Sequence, residues 1–486
     1  MGCGSSNSVE TNNGQNAVID YNNFILVHKN KQYQQDYQIG RLLGKGSYGA
    51  VYVCKNKHND DIRVMKKMAK EGLTKEELQK NMVTDVAILQ KLTHPSVMKT
   101  FEFYSDENMF YIVSEYCEGG SLMDRLQQQE LFSEKEAANV VKQLLEAINY
   151  SHSQGYMHRD LKLDNAVIDK KTPSEKLDYS VKVIDYGCST KFKKGQKFNE
   201  ICGTPLYMAP ELLKKNYDEK VDVWAIGCIM YILLSGYYPF FGESLEEIFR
   251  KILVQEIVFH ETINECSEDA KNLVLQLLNK NPSQRPSCSE ALKHPWFQNA
   301  PVNKLPDELK KEALNNLKKS NAKSNFQQAV LSYITQQLVT KAEQKNLEVA
   351  FKEIDVDGNG TLSKEELKKY FEKFMLPEEV EKNIDQLMSK IDEDNTGTID
   401  YNEFIKANVD LNQTLSDKNL KTAFDFFDKD GNGTISFNEL EEILAENTQK
   451  KVDGKKFLEQ LKAFDKNNDQ ELSFEEFKEC MKSLIF

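Results

Sequence analysis

The sequence predicts an α+β body joined to an all-α module, and three observations predict it. Apolar alternation begins at Tyr37-Gln38-Ile39, and a glycine-rich turn at 44–49 runs straight into a second strand, Val51-Tyr52-Val53. An apolar run from Val223 to Leu234 is too short to span a bilayer and reads as a buried core helix. The last third repeats one acidic twelve-residue pattern four times, between apolar helical segments such as Leu347-Ala350-Phe351 and Phe424-Phe427.

Composition bounds the rest. A chain of 486 residues is too long for one core, so two or three domains are expected. The net charge of −13 is uneven, with acids crowded into the last third, which excludes general nucleic-acid binding and points to divalent cations. Nine cysteines without a Cys-x-x-Cys pair fit the reduced thiols of a cytoplasmic protein. No signal-peptide apolar region opens the sequence.

In chain order, Met1-Gly2-Cys3-Gly4-Ser5-Ser6 fits myristoylation at Gly2, with Cys3 placed to take a palmitoyl chain. One myristoyl chain gives only marginal membrane binding, so both anchors are expected together. Residues 1–36 are otherwise expected to lack structure, apart from the apolar patch Phe24-Ile25-Leu26-Val27. The glycine turn, from Leu43 through Gly44, Lys45, Gly46, Ser47 and Gly49 to Val51, lets backbone close over nucleotide phosphates. A strand rather than a helix follows it, which argues against a dinucleotide site. Lys66 lies on a later strand, and Lys67 beside it would face the opposite way. The residue aligned to pair with Lys66, on a helix over 75–92, is Asp85.

His158-Arg159-Asp160 follows, read on through Lys162 and Asn165. Phosphoryl transfer to a hydroxyl needs these groups on one loop: Asp160 to orient the hydroxyl proton, Lys162 to steady the phosphate, Asn165 to hold magnesium. The strand at 181–184 ends in Asp185-Tyr186-Gly187, a magnesium-binding motif with tyrosine in place of phenylalanine. Gly203-Thr204-Pro205, Ala209-Pro210-Glu211, Asp222-x-Trp224-x-x-Gly227 and Arg285 come after it in order.

With these motifs, residues 37–297 resemble a eukaryotic protein kinase, of the serine/threonine branch because Lys162 sits two residues after Asp160. The resemblance implies a two-lobed kinase fold that uses ATP and magnesium. It implies a hinge whose backbone at Glu115 and Cys117 holds the adenine edge, with the small Ser114 behind it. It also implies an ion pair between Glu211 and Arg285. Glu200 stands where related kinases carry a phosphothreonine opposite Arg159, so no loop phosphate would be needed. Residues 169–180 read as a surface insertion.

The acidic repeats fit the EF-hand calcium loop. Asp355-x-Asp357-x-Asn359-Gly360-Thr361-x-Ser363-x-x-Glu366 matches it at every ligand position. Asp392, Asp394, Thr396, Thr398 and Glu403 repeat it with a neutral fifth position, and Asp428, Asp430, Asn432, Thr434 and Glu439 repeat it in full. Asp465, Asn467, Asp469, Glu471 and Glu476 keep the oxygens of a fourth loop, but Gln470 replaces the turn glycine, so that loop should bind more weakly. Between kinase and loops, residues 298–342 hold a charged stretch at 305–319. A helix follows over 320–340, with Phe326, Val330, Ile334 and Leu338 every fourth residue behind Lys318, Lys319 and Lys323. Calcium sensors clasp such basic amphipathic helices, and an ordinary packing helix fits equally.

Kinase, junction and calmodulin-like module (343–486) together resemble the calcium-dependent protein kinases of plants and protists. The family resemblance implies a monomeric kinase for protein substrates, using ATP, Mg2+ and Ca2+, with its junction obstructing the kinase at low calcium. Lys318-Lys319-Ser320 is a candidate substrate mimic, and calcium-loaded lobes would capture Phe326, Val330 and Ile334. Two alternatives stay open: a calcium-responsive pseudokinase scaffold, suggested by Asp85 and Tyr186, and a constitutive kinase with a calcium-buffering tail.

Overall fold

The computed structural model describes residues 25–29, 32–46, 49–71, 88–89, 91–170, 179–299, 306–319, 324–448 and 462–485. Gly2, Cys3, Ser47 and Asp85 lie outside them, as do residues 320–323 of the expected junction helix and the side chains of Lys318 and Lys319.

Strands β1 (Leu26–Lys29), β2 (Tyr37–Gly46), β3 (Gly49–Asn56), β4 (Ile62–Ala69), β5 (Thr100–Ser105) and β6 (Met109–Glu115) form one sheet in the order β1-β5-β6-β4-β3-β2. The glycine turn closes the β2–β3 pair. Gly49 holds φ +142°, and a Cβ there would stand 2.0 Å from the Lys67 carbonyl oxygen, so only glycine fits. Register sets Lys66 opposite Val51 and Ile112, on the face away from Lys67, whose Nζ donates to the Tyr33 hydroxyl at 2.8 Å.

β1 shows that the apolar patch set apart from an otherwise unstructured N-terminal segment continues as a strand to Lys29. It runs parallel to β5, with Leu26 opposite Glu102. Four residues are too few for a period to be read. The strand persists because Leu26 enters the core of the second calcium lobe, while His28 stacks on Tyr104 at 4.4 Å and meets Glu102 at 3.1 Å.

The large lobe is helical. Helix α1 (Leu122–Gln129) and helix α2 (Glu134–Ser153) each open with a capping box, Ser121 with Asp124 and Ser133 with Glu136. Helix α3 (Lys220–Ser235) is the expected apolar helix, buried from Val221 to Ser235, and Gly236 ends it at φ +78°. Glu211 and Arg285 form the expected buried pair, at 2.5 and 3.1 Å. The insertion is not merely a surface feature. Its end residue Tyr179 is buried against Phe132 and takes hydrogen bonds from Arg125.

Three helices follow: α4 (Asp307–Lys319), α5 (Asn325–Gln337) and α6 (Lys341–Ile354). The stretch expected only to be charged is the helix α4, whose Leu317 joins the core of the first EF-hand lobe with Leu309 packed against it. Helix α5 buries Phe326, Val330 and Ile334 in the core of the second lobe, and Leu338 packs at its edge. Paired loops share short ladders, Thr361–Leu362 with Ile399–Asp400 and Thr434–Ser436 with Glu471–Ser473. The C-terminal end of α5 is capped by the kinase: buried Arg63 donates to the Gln337 carbonyl at 2.8 Å and to the Tyr37 hydroxyl at 2.7 Å. Its guanidinium lies 3.7 Å from the centre of the Phe101 ring. Among the described residues, no helix is long and apolar enough to cross a membrane.

Candidate functional site

The loop that carries His158, Arg159 and Asp160 hangs from Asp222, at the start of α3. The buried carboxylate accepts the backbone N–H of His158 and of Arg159, each at 2.8 Å, and meets His152 Nε2 at 2.8 Å. Burial alone would lower His152, yet hydrogen bonding to Asp222 and the Cys288 sulfur hold its pKa up, at about 10. The imidazolium therefore balances the buried acid. Arg159, at φ +70°, then turns the chain so that Asp160 faces the cleft.

Around Asp160 the expected groups converge. Lys162 Nζ lies 3.1 Å from Asp160 Oδ2 and 2.9 Å from Thr204 Oγ1, and Thr204 donates to Asp160 Oδ1 at 2.7 Å. Asn165 Nδ2 donates to the Asp160 carbonyl at 2.8 Å. Lys66 pairs with Asp185, at 2.9 Å. Burial would raise the Asp185 pKa, but the Lys66 ammonium holds it below the usual range. Tyr186 is buried, its hydroxyl 3.0 Å from Ser151 Oγ and its ring 4.7 Å from His158. It keeps the apolar role of a phenylalanine and adds a hydrogen bond. Arg159 reaches the Tyr217 hydroxyl at 3.1 Å and Glu200 at 3.3 Å.

β6 delivers Ser114 and Glu115 to the start of the hinge. Ser114 is buried, its Oγ 3.3 Å from Thr100 Oγ1. Glu115 is only 4% exposed. Burial alone would raise its pKa, but the ammoniums of Lys182 and Lys341 hold it down, to about 2. Leu43 and Gly44 on β2 and Val51 on β3 flank the glycine turn, with Gly44 opposite Val51.

Each of the first three EF-hand loops brings its first, third and twelfth acids within 4.8 Å of one another: Asp355, Asp357 and Glu366; Asp392, Asp394 and Glu403; Asp428, Asp430 and Glu439. All three sets offer hard oxygens alone, which fits calcium. Gly360 and Gly433 adopt positive φ, and their N–H groups donate to Asp355 and Asp428, each at 2.9 Å. Gln470 takes the same turn at φ +66°, its N–H 3.0 Å from Asp465 Oδ2, while Asp465 Oδ1 is buried with no hydrogen-bond partner among the described residues. The fourth loop therefore keeps the turn of the third, with a residue that carries a Cβ in the left-handed region.

The chain matches the protein kinase domain over residues 37–297 and the EF-hand domain pair twice, over residues 344–407 and 417–482. It is 33% identical over 498 residues to calcium-dependent protein kinase 4 of Plasmodium falciparum, spanning 99% of this chain and 92% of that one. Calcium-dependent protein kinase SK5 of Glycine max is 35% identical over 462 residues, 94% of this chain and 89% of that one. The chain belongs to the calcium-dependent protein kinases. As a calcium-dependent protein kinase it is a calcium-activated serine/threonine kinase, and its intact Lys66, Asp160, Asn165 and Asp185 leave nothing to favour a pseudokinase. A third relative, calcium-dependent protein kinase 13 of Arabidopsis thaliana, is 36% identical over 393 residues, 80% of this chain and 72% of that one.

Sequence reasoning missed two groups of residues in this calcium-dependent protein kinase. Thr204 appeared only as part of a motif, although it bridges Asp160 and Lys162. Lys341, Asp169 and Arg63 carried no signal, because polar residues far apart in the chain declare a contact only once folded.

Proposed function

We propose that Asp160 orients the hydroxyl of a protein serine or threonine and draws its proton, while Lys162 steadies the phosphoryl group in transit. Thr204 bridges the two side chains, donating to Asp160 and accepting from Lys162. Asn165 and Asp185 would hold magnesium, which neutralises charge on the phosphates, and Lys66 anchors the phosphates of ATP. The backbone of Glu115 and Cys117 takes the adenine edge. The observation that carries this reading is the convergence of Lys162, Thr204 and Asn165 on Asp160, with Lys66 on Asp185 beside them.

The junction switches this chemistry. At low calcium it obstructs the kinase; calcium opens the EF-hand pairs, and each lobe then holds one helix, the first α4 and the second α5. Burial of Phe326, Val330 and Ile334 in the second lobe supports the capture step. Glu200 beside Arg159 supports activity without a loop phosphate, although one carboxylate supplies less charge than a phosphate. Acylation at Gly2 and Cys3 would bring this monomer to membranes, and Gly2→Ala should then move it to the soluble fraction.

Transfer of radiolabelled phosphate from ATP to a basic peptide, with calcium and with chelator, tests the reading. Activity should require calcium; equal rates in both would overturn the switch. A chain cut after Asn299 separates two mechanisms. It is active in chelator if the junction only obstructs, and nearly inactive if the docked module also braces the kinase.

A further inference from the structure

We propose that Lys341 is a positioning residue that ties nucleotide binding at the hinge to calcium binding in the first EF-hand loop. This deepens the function proposed above and rests on its reading of Glu115 and Cys117 as the adenine-binding hinge.

Lys341 is the first residue of α6, fixed there by the capping box of Thr340 and Glu343. Its ammonium has three donors and finds three acceptors: Asp169 Oδ1 at 2.6 Å, the Tyr116 carbonyl at 2.7 Å and Glu115 Oε2 at 2.9 Å. The receptacle is rigid in its own right. Glu115 Oε1 is held by the Lys99 N–H at 2.7 Å and by Lys182 Nζ at 3.2 Å, and Lys182 donates onward to the Pro95 carbonyl at 2.9 Å. Glu115 is buried, so this is not a surface ion pair of negligible worth. Removing Lys341 leaves Glu115 Oε1 with Lys182 and the Lys99 N–H but takes the ammonium from Glu115 Oε2 and from the Tyr116 carbonyl.

The Tyr116 carbonyl and the Cys117 N–H belong to one planar peptide unit. Whatever fixes the carbonyl therefore fixes the direction of the N–H that faces adenine. Lys341 does so from the far side of the hinge, without touching nucleotide.

The other end of α6 is Ile354, and Asp355, the first ligand of the first loop, follows directly. Fourteen helical residues make a rod of about 21 Å. Its far end is pinned too, because Asn149 of α2 donates to the Gly358 carbonyl inside the loop at 3.0 Å. One rigid helix thus runs from the hinge peptide to the calcium loop, with both ends hydrogen-bonded to the kinase. A state that places α6 correctly favours both ligands, and linkage then requires each ligand to tighten the other by one shared factor.

The experiment uses the full chain, as wild type, Lys341→Met and Lys341→Arg. Calcium titrations are run with and without a non-hydrolysable ATP analogue, beside KM for ATP and kcat at saturating calcium. Wild type should bind calcium at least about 5-fold more tightly with the analogue present, within the usual range of such coupling. Lys341→Met should bring that factor close to one and raise KM for ATP several-fold, with kcat changing less; Lys341→Arg, which keeps charge and donors, should restore most of the coupling. Undiminished coupling in Lys341→Met overturns the proposal, as does a loss confined to kcat in both variants. If Lys341→Met does not fold, Asp169→Asn removes charge from the opposite partner and decides the same comparison. A wild type that binds no analogue overturns the hinge reading itself, whereas analogue binding without calcium coupling overturns only the role of Lys341.

Discussion

In the second calcium lobe, none of the described residues lies within 4 Å of where a Cβ on Gly431 or Gly433 would stand; in the first, a Cβ on Gly360 would stand 2.4 Å from the Tyr150 ring and one on Gly358 3.0 Å from Glu146 and Leu292. The same loop, made by the same kind of residues, is free in one lobe and pressed against the kinase in the other. The two lobes also touch different parts of the kinase. The first meets α2 through Asn149 and leads back to the hinge, while the second holds α5, whose end is capped by Arg63 of the small lobe. Position, not loop chemistry, separates a lobe whose first loop reads the kinase surface from one whose third loop stands clear of the described residues of the kinase.

The largest effect isolates the cleft from both lobes. Asp185→Asn should reduce phosphoryl transfer to background, because it removes the partner of Lys66 and a magnesium ligand. Calcium binding by both lobes should be unchanged in calorimetry. Substantial turnover would show that the cleft is wrongly assigned.

Gly360→Ala and Gly433→Ala then compare the lobes directly. Both positions hold positive φ, so alanine costs each about 1–2 kcal/mol of backbone strain, roughly a tenfold loss of calcium affinity. Only at Gly360 does the new methyl also meet Tyr150 and His94. Gly360→Ala should raise the calcium needed for half-activation by about a further tenfold, since docking must give way. Equal shifts in the two variants would break the comparison.

Protons distinguish the lobes as well. Burial and then the charge of Glu146 push Asp355 up to about 8, and burial and then Asp400 push Glu403 up to about 9. Glu439 of the third loop goes the other way: burial would raise it, but hydrogen bonds from Ser436 and the loop amides hold it below its usual range. A carboxyl raised above its unfolded value, near 4, destabilises the calcium-free fold progressively as pH climbs from about 4 to that raised value. Calcium binds the carboxylate, so its affinity for the first lobe should rise over the same window. Titrations at pH 6.5 and 8.5 should differ by about tenfold in the first lobe and less than about twofold in the second. Parallel pH profiles would remove the distinction.

Much of this was legible before folding, wherever function needs fixed residue types at fixed spacing. Asp160, Asn165, Asp185 and the loop acids are such residues, and the structure brings them together. Register also followed from period, since Lys67 turns away from Lys66 to Tyr33. What the sequence hid is contact between distant elements. β1 is too short to show alternation, and α4 hides its apolar residues Leu309 and Leu317 among charges. The Lys341 receptacle gathers Glu115, Tyr116 and Asp169 from two segments of the kinase, and no local pattern announces a buried ion pair spanning hundreds of residues.

The smallest expected effect lies within the second lobe. Its fourth loop closes like the third, with Lys466 N–H donating to Glu476 Oε1 at 2.9 Å where Lys429 N–H donates to Glu439 Oε1 at 2.7 Å. The two loops share the ladder Thr434–Ser436 with Glu471–Ser473, so they cannot act wholly apart. Gln470, however, holds φ +66° with a Cβ, a strain of about 1 kcal/mol that Gly433 escapes. The fourth loop should therefore fill last and add least to switching. Glu476→Gln should raise the calcium for half-activation less than about threefold, against about tenfold for Glu439→Gln, because both lose a bidentate ligand but only the third loop is well filled near the threshold. Gln470→Gly removes the strain and should tighten the fourth site by about fivefold, that is, about 1 kcal/mol. Calcium titration of the three variants gives the answer: a fourth site as tight as the third in the wild-type chain would show that the backbone strain does not govern its affinity.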